Sequence, residues 1–160
     1  MKLRTSCLDD LDEIYSIEKI CFPPQEQIKR NYFEQKLQIC PEHLWVLEDN
    51  NKIISFVSTI TTNCRDLKDE MYTDVKLHDE NGIWRMILDV NTLPEYRGKG
   101  LAGKLLNHVI EKTKKENRSG IVLVCKKSLV SFYELFGFVY ECVSESTLGD
   151  TTWYQMRLAF

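Results

Sequence analysis

The chain has 160 residues, of which 43% are hydrophobic and 28% are charged, and its formal net charge is −3. This length predicts one domain over residues 1–160 with its own core, and the acidic balance argues against a nucleic-acid-binding protein. No hydrophobic run approaches the roughly 20 residues that cross a bilayer, and the N-terminus lacks a signal-peptide core, so we expect a cytoplasmic protein without a membrane partner.

The six cysteines are far apart and form no C-x-x-C pair. This spacing is not that of a zinc site or of a redox dithiol, and it predicts reduced thiols and no bound metal.

The first part of the chain predicts strands and helices separated by clear breaks. The expected elements are a strand at Lys2–Ser6, a helix from Leu8 to Cys21, a helix at Gln25–Ile39, and strands at His43–Glu48 and Ile53–Thr62. Apolar residues recur at helical spacing in the first helix, and Pro23 and Pro24 end it. The turn at residues 49–51 has residue types that favour a tight hairpin.

An acidic segment follows, from Arg65 to Glu80. It holds six acidic and three basic residues, and three minus six gives the whole net charge of −3. Such a loop could steer a cationic amine toward a nearby cleft. A run of this kind is more often a solvated loop, and both interpretations stay open at this point.

The last part of the chain predicts a strand, a loop and a helix that lead into a second strand. The expected elements are a buried strand at Gly82–Leu93, a helix from Gly100 to about Asn117, a strand at Ile121–Cys125, a short helix from Ser128 to Leu135, a strand after Phe138, and a closing strand at Thr151–Leu158. A strand, helix and strand in this order form a βαβ unit with parallel strands.

The loop between the buried strand and its helix is suited to binding a phosphate. Gly98, Gly100 and Gly103 have no side chains, so the backbone can approach an anion closely. The first N–H groups of the new helix have no partner inside the helix and point toward the same place. Arg97 and Lys99 add positive charge there.

Two common phosphate motifs overlap this loop and fit it poorly. The G-x-G-x-x-G pattern of dinucleotide folds requires an acidic residue about 20 residues on, whereas the next strand here ends at residues 125–127, Cys-Lys-Lys. The G-x-x-x-x-G-K pattern requires a hydroxyl next, and Leu105 stands at that position. A nicotinamide site and a nucleotide triphosphatase are therefore both disfavoured.

Residues 97–102, Arg-Gly-Lys-Gly-Leu-Ala, match a third pattern, [R/Q]-x-x-G-x-[G/A] between a strand and a helix. Here the chain resembles the GNAT superfamily of N-acetyltransferases and is closest in pattern to its arylalkylamine branch. Residues 131–138 also resemble the F-Y-x-x-x-G-F element of the superfamily. The resemblance implies an α/β (α+β) fold with a mixed central sheet flanked by helices. It also implies direct acetyl transfer from acetyl-CoA to a small primary amine, arylalkylamine-like or polyamine-like.

The resemblance assigns the coenzyme contacts. In the superfamily the loop amides hold the diphosphate, and this role falls here on Arg97, Gly98, Lys99, Gly100, Leu101, Ala102 and Gly103. Main-chain groups where two strands separate bind the pantetheine arm and polarise the thioester, which corresponds to Val90, Asn91 and Thr92. A tyrosine beside the coenzyme sulfur corresponds to Tyr133, whose phenol can protonate the departing thiolate.

The sequence offers more than one candidate for the general base. Met86 and Leu88 occupy the positions where the arylalkylamine branch has two histidines. An alkylammonium must still lose its proton, so Glu18, Asp89 or a water chain has to accept it. The histidines of the chain are scattered, and we expect each to be exposed: His43, His78 and His108.

Two aromatic residues resemble the acceptor slot of the arylalkylamine enzymes. Phe22 follows the first helix and Trp153 lies in the closing strand, and two facing rings could enclose an amine. Two other functions stay open: acetylation of a protein N-terminus or lysine by the same fold, and acyl-CoA sensing without catalysis. The sequence also leaves a homodimer open.

Overall fold

The computed structural model describes all 160 residues, with seven β-strands and four α-helices joined by turns and short 3-10 segments. The strands are β1 (Lys2–Thr5), β2 (Leu44–Asp49), β3 (Lys52–Thr62), β4 (Trp84–Thr92), β5 (Gly120–Cys125), β6 (Val139–Val143) and β7 (Tyr154–Ala159). The helices are α1 (Leu11–Cys21), α2 (Arg30–Ile39), α3 (Leu101–Lys115) and α4 (Val130–Glu134). None of the helices has both the length and the apolar character needed to cross a bilayer.

The strands form one mixed sheet in the order β1-β2-β3-β4-β5-β7-β6. Every neighbouring pair is antiparallel except β4 and β5, which run parallel and are connected through α3. The parallel strand–helix–strand unit predicted from the sequence is therefore confirmed. The parallel pair lies near the middle of the sheet.

Helices cover both faces of this sheet. Phe33 of α2 packs edge to face on Phe56 of β3 at 5.9 Å, whereas Thr113 of α3 meets Thr59 of β3 through the buried side chain of Arg85. Successive side chains of a strand point to opposite faces, so Phe56 and Thr59 place α2 and α3 on opposite sides. The predicted arrangement, a mixed sheet flanked by helices, is confirmed.

Several predicted element boundaries are wrong, including the start of the closing strand, which lies at Tyr154 rather than at Thr151. The second helix begins at Arg30 rather than at Gln25, because the segment before it is a 3-10 turn followed by extended backbone at Gln27. In this segment the N–H of Ile28 donates to the Glu18 carboxylate. The strand β4 begins at Trp84 rather than at Gly82, where a Cβ atom would lie 2.2 Å from the backbone nitrogen of Thr62.

The acidic segment between β3 and β4 keeps its charged side chains exposed or half-buried, as expected of a solvated run of charges, but its apolar side chains anchor it to the fold. Four of its apolar side chains are buried: Leu67, Met71, Tyr72 and Val75. Asp69 accepts hydrogen bonds from the Ser146 hydroxyl at 2.5 Å and from the Thr147 N–H at 3.1 Å. The segment therefore holds the β6–β7 connection in place.

The expectation that the histidines are exposed is wrong, because His43 is 2% exposed and His78 and His108 are half-buried. The Nδ1 atom of His43 accepts a hydrogen bond from Arg85 at 3.0 Å. Arg85 is fully buried, pairs with Glu116, and also donates to the hydroxyls of Thr59 and Thr113. A buried guanidinium with this many acceptors dictates the position of the imidazole, and the sequence pattern did not indicate it.

His43, His78 and Glu80 approach one another closely enough to suggest a metal site. However, Arg85 and the Thr61 N–H donate to the Nδ1 atoms of His43 and His78. Each Nε2 atom of the neutral rings therefore carries a hydrogen and donates to the Glu80 carboxylate, at 2.7 and 2.9 Å. The cluster is thus a hydrogen-bond network rather than a set of metal ligands.

This network predicts a pH-dependent stability. Burial, and after it the charge of Arg85, lowers the pKa of His43 from 6.5 to about 4. The unfolded chain binds this proton more readily, so the stabilising contribution of neutral His43 is complete above about pH 6.5 and is lost as the pH falls toward 4. We expect the free energy of unfolding, measured with urea, to decrease across this window. His43→Gln should flatten the decrease, and an unchanged slope in the variant would contradict the account.

Candidate active site

The site is organised around a separation of two parallel strands. In the β3–β4 register Ser58 pairs with Asp89 and Thr59 with Ile87, so Leu88 is an extra residue that makes a bulge in β4. The parallel pairing of β4 with β5 ends at Ile87 and Leu123. Because a bulge bends its strand, β4 turns away from β5 at this point. Residues 88–92 of β4 therefore have no strand partner on the β5 side.

The glycine-rich loop presents a row of free amides beside this opening. None of the N–H groups of residues 98–103 donates to an acceptor in the chain, and the first helical bond of α3 runs from Lys104 to Gly100. Gly98 and Gly100 have φ angles of +75° and +77°, and a Cβ atom added to either would meet nothing within 4 Å. These open, positively polarised groups at the start of a helix fit an anion.

Arg97 lies at the base of the loop and ties it to neighbouring segments. Its Nε atom donates to the Thr92 carbonyl oxygen at 3.0 Å, and its guanidinium lies 3.5 Å from the Cys21 sulfur. The ammonium of Lys99 lies 5.3 Å from the centre of the Tyr96 ring. The charge of Arg97 is thus fixed close to the strand opening, while that of Lys99 stays at the rim of the loop.

Two connected cavities extend from the opening. The first is a groove of about 510 Å³ that includes Val90, Asn91, Thr92, Arg97 and Ala102 in its walls. The second is an inner cavity of about 220 Å³, deeper between the sheet and α1. The two share five lining residues: Cys21, Phe22, Val90, Leu129 and Tyr133. A ligand lying in the groove would reach the inner cavity at these residues.

Tyr133 stands where the two cavities meet. It is 8% exposed, packs against the rings of Phe132 and Phe138, and its hydroxyl has no hydrogen-bond partner in the chain. Burial raises the pKa of this phenol above its usual value, so the group stays protonated at neutral pH. It is therefore available as a proton donor toward the shared part of the cavities.

The inner end of the second cavity holds a pair of buried carboxyl groups. Glu18 of α1 and Asp89 of β4 are 1% and 5% exposed. The side-chain amide of Asn91 donates to both, at 2.8 Å to Glu18 and 3.0 Å to Asp89. Burial, and then the charge of Glu18, raises the pKa of Asp89 well above its usual value. The structure thus brings together two residues that the sequence analysis had considered separately as bases.

Aromatic rings and one ion pair form the outer wall of the inner cavity. Phe22 and Trp153 both line it, as the sequence analysis expected of an acceptor slot. Trp153 donates its indole N–H to the Leu148 carbonyl oxygen at 2.8 Å. The Lys126 ammonium lies 2.9 Å from the Glu26 carboxylate and 5.8 Å from the centre of the Trp153 ring.

Sequence reasoning missed three residues of this wall: Tyr72, Glu26 and Lys126. Tyr72 comes from the acidic segment, is 8% exposed, and its hydroxyl has no partner in the chain. Glu26 lies in the part of the predicted second helix that is not helical. No local pattern marks these residues, because the contacts that place them run between distant segments. The Lys-Lys pair after β5 was the only available signal for Lys126.

The cysteines near the cavities are poor nucleophiles. Burial raises the pKa of the Cys125 thiol to about 11. Burial also raises the pKa of Cys21, although the neighbouring Arg97 acts in the opposite direction. Both thiols are protonated at neutral pH, and a covalent carrier on the chain is therefore disfavoured.

Comparisons with known proteins agree with this architecture. The sequence model of the acetyltransferase (GNAT) family matches residues 11–138. A search of curated protein sequences found no match.

Several solved structures share the fold at low sequence identity. The loading GNATL domain of CurA from Lyngbya majuscula has a TM-score of 0.86 and 18% identity, over 99% of this chain and 96% of that one. The GphF GNAT-like decarboxylase in complex with isobutyryl-CoA has a TM-score of 0.84 and 17% identity, over 99% of both chains. The ribosomal-protein-S18-alanine N-acetyltransferase from Escherichia coli has a TM-score of 0.74 and 17% identity, over 99% and 92%.

Proposed function

The chain belongs to the acetyltransferase (GNAT) family, and we propose that it transfers the acetyl group of acetyl-CoA to the primary amine of a small molecule. Arylalkylamine-like and polyamine-like acceptors are the classes we place first. The inner cavity is the observation that carries this proposal. It is mainly apolar, ends at two buried carboxyl groups, and connects with the groove at Tyr133.

The way this cavity is covered supports a small acceptor over a protein chain. The α1–α2 connection and the β6–β7 connection meet above it, and a Cβ atom added to Gly149 would lie 2.5 Å from the Cγ atom of Glu26. The ion pair between Glu26 and Lys126 links the same cover to the end of β5. A peptide substrate would need an open groove at this place, whereas a small amine needs only a cavity.

The donor groove fits acetyl-CoA by its own features. The free amides of residues 98–103 would hold the diphosphate, and the unpaired side of β4 at Val90, Asn91 and Thr92 would hold the pantetheine arm. The Thr92 carbonyl oxygen already accepts bonds from Arg97 and Cys21, so it is not free for the arm. When bound, acetyl-CoA supplies a thioester carbonyl that an amine can attack.

Different residues around this thioester position carry out the different proton transfers. The carboxyl pair of Glu18 and Asp89 accepts a proton from the ammonium, so that a neutral amine can attack. A backbone N–H on the unpaired side of β4 polarises the carbonyl oxygen. Tyr133 donates its phenolic proton to the departing thiolate, because it is protonated and stands where the two cavities meet.

An acceptor screen tests the proposed function. The chain should consume acetyl-CoA in the presence of small primary amines from an arylalkylamine, polyamine and aliphatic panel. Loss of thioester absorbance measures the rate, and mass spectrometry identifies the product. Turnover only with peptide N-termini or lysine peptides would move the acceptor to a protein. Acetyl-CoA binding without turnover of any amine or peptide would support a sensor.

Decarboxylation of a carboxyacyl-CoA, which needs no amine, is the control reaction for this screen. One similar structure is a GNAT-like decarboxylase, so carbon dioxide release from a carboxyacyl-CoA is measured in parallel. We expect none above the background, and a decarboxylation rate exceeding every amine rate would contradict the proposal.

Gly100→Val tests the anion loop. A β-branched residue is strained at a φ of +77°, so the loop should lose the conformation that presents its amides. Asparagine tolerates this region better, so Gly100→Asn is the matched variant. We expect calorimetry to show a much larger loss of acetyl-CoA affinity for valine than for asparagine. Wild-type affinity in Gly100→Val would contradict the placement of the diphosphate.

Tyr133→Phe tests the proton donor. Removing the hydroxyl keeps the packing with Phe132 and Phe138, so acetyl-CoA affinity should stay near the wild-type value while kcat falls by about 100-fold or more. Tyr140→Phe, on the outer strand β6, is the control and should keep the wild-type kcat. An unchanged kcat in Tyr133→Phe would remove this residue from the mechanism.

A further inference from the structure

We propose that Asp89 itself accepts the proton of the acceptor amine, and that the side chains of Glu18 and Asn91 act on the reaction only through Asp89, as positioning groups. This inference rests on the proposed acetyl transfer. It identifies the residue that accepts the proton and the residues that position this acceptor. It divides roles among three buried side chains joined by hydrogen bonds, of which Glu18 and Asp89 line the inner cavity and Asn91 lines the groove.

The two carboxyl groups differ in the hydrogen bonds that they accept. Both oxygens of Glu18 are occupied, since Oε1 accepts from Asn91 at 2.8 Å and Oε2 accepts from the Ile28 N–H at 2.9 Å. Asp89 accepts from Asn91 through Oδ2 alone, at 3.0 Å. No other residue donates to its Oδ1 atom, and this atom is not sealed off from the cavity that Asp89 lines. Asp89 is therefore the carboxyl group with a free oxygen toward a ligand.

The surroundings keep a like charge beside Asp89 without a compensating cation. Glu18 and Cys21 face it from α1, Tyr32 from α2, Tyr72 from the acidic segment, and Tyr133 from α4. Burial raises the pKa of Cys21, Tyr32, Tyr72 and Tyr133, so these four groups are neutral near pH 7. Burial, the charge of Glu18 and a side-chain hydrogen bond with Glu18 raise the pKa of Asp89, and the Asn91 hydrogen bond lowers it. A base tuned upward in this way is suited to an alkylammonium.

The side chain of Asn91 donates hydrogen bonds to both carboxyl groups, while its own carbonyl oxygen has no donor. It is 2% exposed, its NH₂ group bridges Glu18 and Asp89, and its carbonyl oxygen has no partner in the chain. Leaving a buried amide oxygen unpaired costs stability. The amide therefore holds the pair at a fixed spacing, which is the role of a positioning residue.

The proton transfers balance as follows. An N–H bond of the ammonium breaks and an O–H bond forms at Oδ1 of Asp89. The amine lone pair then forms the N–C bond at the thioester carbonyl, and the C–S bond breaks. Tyr133 gives its proton to the sulfur and recovers one from the new amide nitrogen. Asp89 releases its proton to water, so one proton is set free in each cycle.

The pH dependence of kcat at saturating substrates tests this division of roles. The wild type should lose activity at acidic pH with an apparent pKa well above the ordinary aspartate value of about 4. Glu18→Gln removes the like charge and should move this acidic limb to lower pH by about one unit or more. Asn91→Leu removes the donor and should move the limb to higher pH. Asp89→Asn should lower kcat by about 100-fold or more at every pH.

The same amine is used throughout, so its own ionisation does not differ between variants. Opposite displacements in Glu18→Gln and Asn91→Leu support the inference, because a purely structural role would lower activity without moving the limb in two directions. Unmoved limbs, or limbs that move in the same direction, would overturn it. Wild-type turnover in Asp89→Asn would overturn it as well.

A second measurement is made on the wild type, so it remains informative if a variant fails to fold. It also distinguishes a failure of this inference from a failure of the proposed function. Carbon-13 NMR of labelled aspartate carboxyl groups in the wild type should show one group titrating well above pH 4. Asp89→Asn assigns that signal, and Asp89 titrating at the ordinary value would overturn the inference. This titration needs no substrate. A raised pKa of Asp89 without turnover of any amine would count against acetyl transfer but not against this inference. Turnover of an amine with acidic limbs that do not move in the variants would count against this inference but not against acetyl transfer.

Discussion

The early end of pairing between β4 and β5 is the constraint on which the site depends. The extra residue at Leu88 bends β4 away, and the sheet opens after Ile87 and Leu123. Backbone groups that would otherwise complete a parallel ladder are left free for a ligand, and the opening connects the groove with the inner cavity. The glycine-rich loop lies at the end of the same strand, so its free amides and the opening are held at a fixed distance by one short segment of chain. A continuous β4–β5 ladder would close the groove and leave the loop without a path to the carboxyl groups.

Charge is distributed around this opening with a clear asymmetry. The donor side has free N–H groups, the start of α3 and the guanidinium of Arg97, all of which favour an anion. The inner cavity has Glu18 and Asp89 in a buried position where hydrogen bonds come from Asn91 and one backbone amide rather than from cations. Such an arrangement is costly for folding unless a ligand or a function makes use of it. In the proposed reaction the donor anion and the acceptor cation would therefore each enter from the side of opposite charge and meet beside Tyr133.

Local patterns were enough to predict most of the fold and to single out the loop that is proposed to bind the acetyl donor. Alternation and helical spacing gave the strands and helices, and the Arg97 to Ala102 motif indicated the family that the sequence comparison confirms. The placement of Phe22, Tyr133 and Trp153 around one cavity agrees with their expected roles, which stay predictions. The start of α2 was missed because a tertiary bond from Ile28 to Glu18 overrides the local helical pattern. The buried positions of His43 and Tyr72 were missed for a related reason, since Arg85 and the packing of the acidic segment act across long stretches of sequence.

A crystal structure of the chain with acetyl-CoA tests the central claim most directly, which is that the loop amides and the strand opening together hold the donor. The account predicts diphosphate oxygens within hydrogen-bond distance of the N–H groups of residues 98–103, and the thioester at the end of the β4–β5 pairing beside Tyr133. A diphosphate bound elsewhere, or a thioester outside the opening, would contradict it.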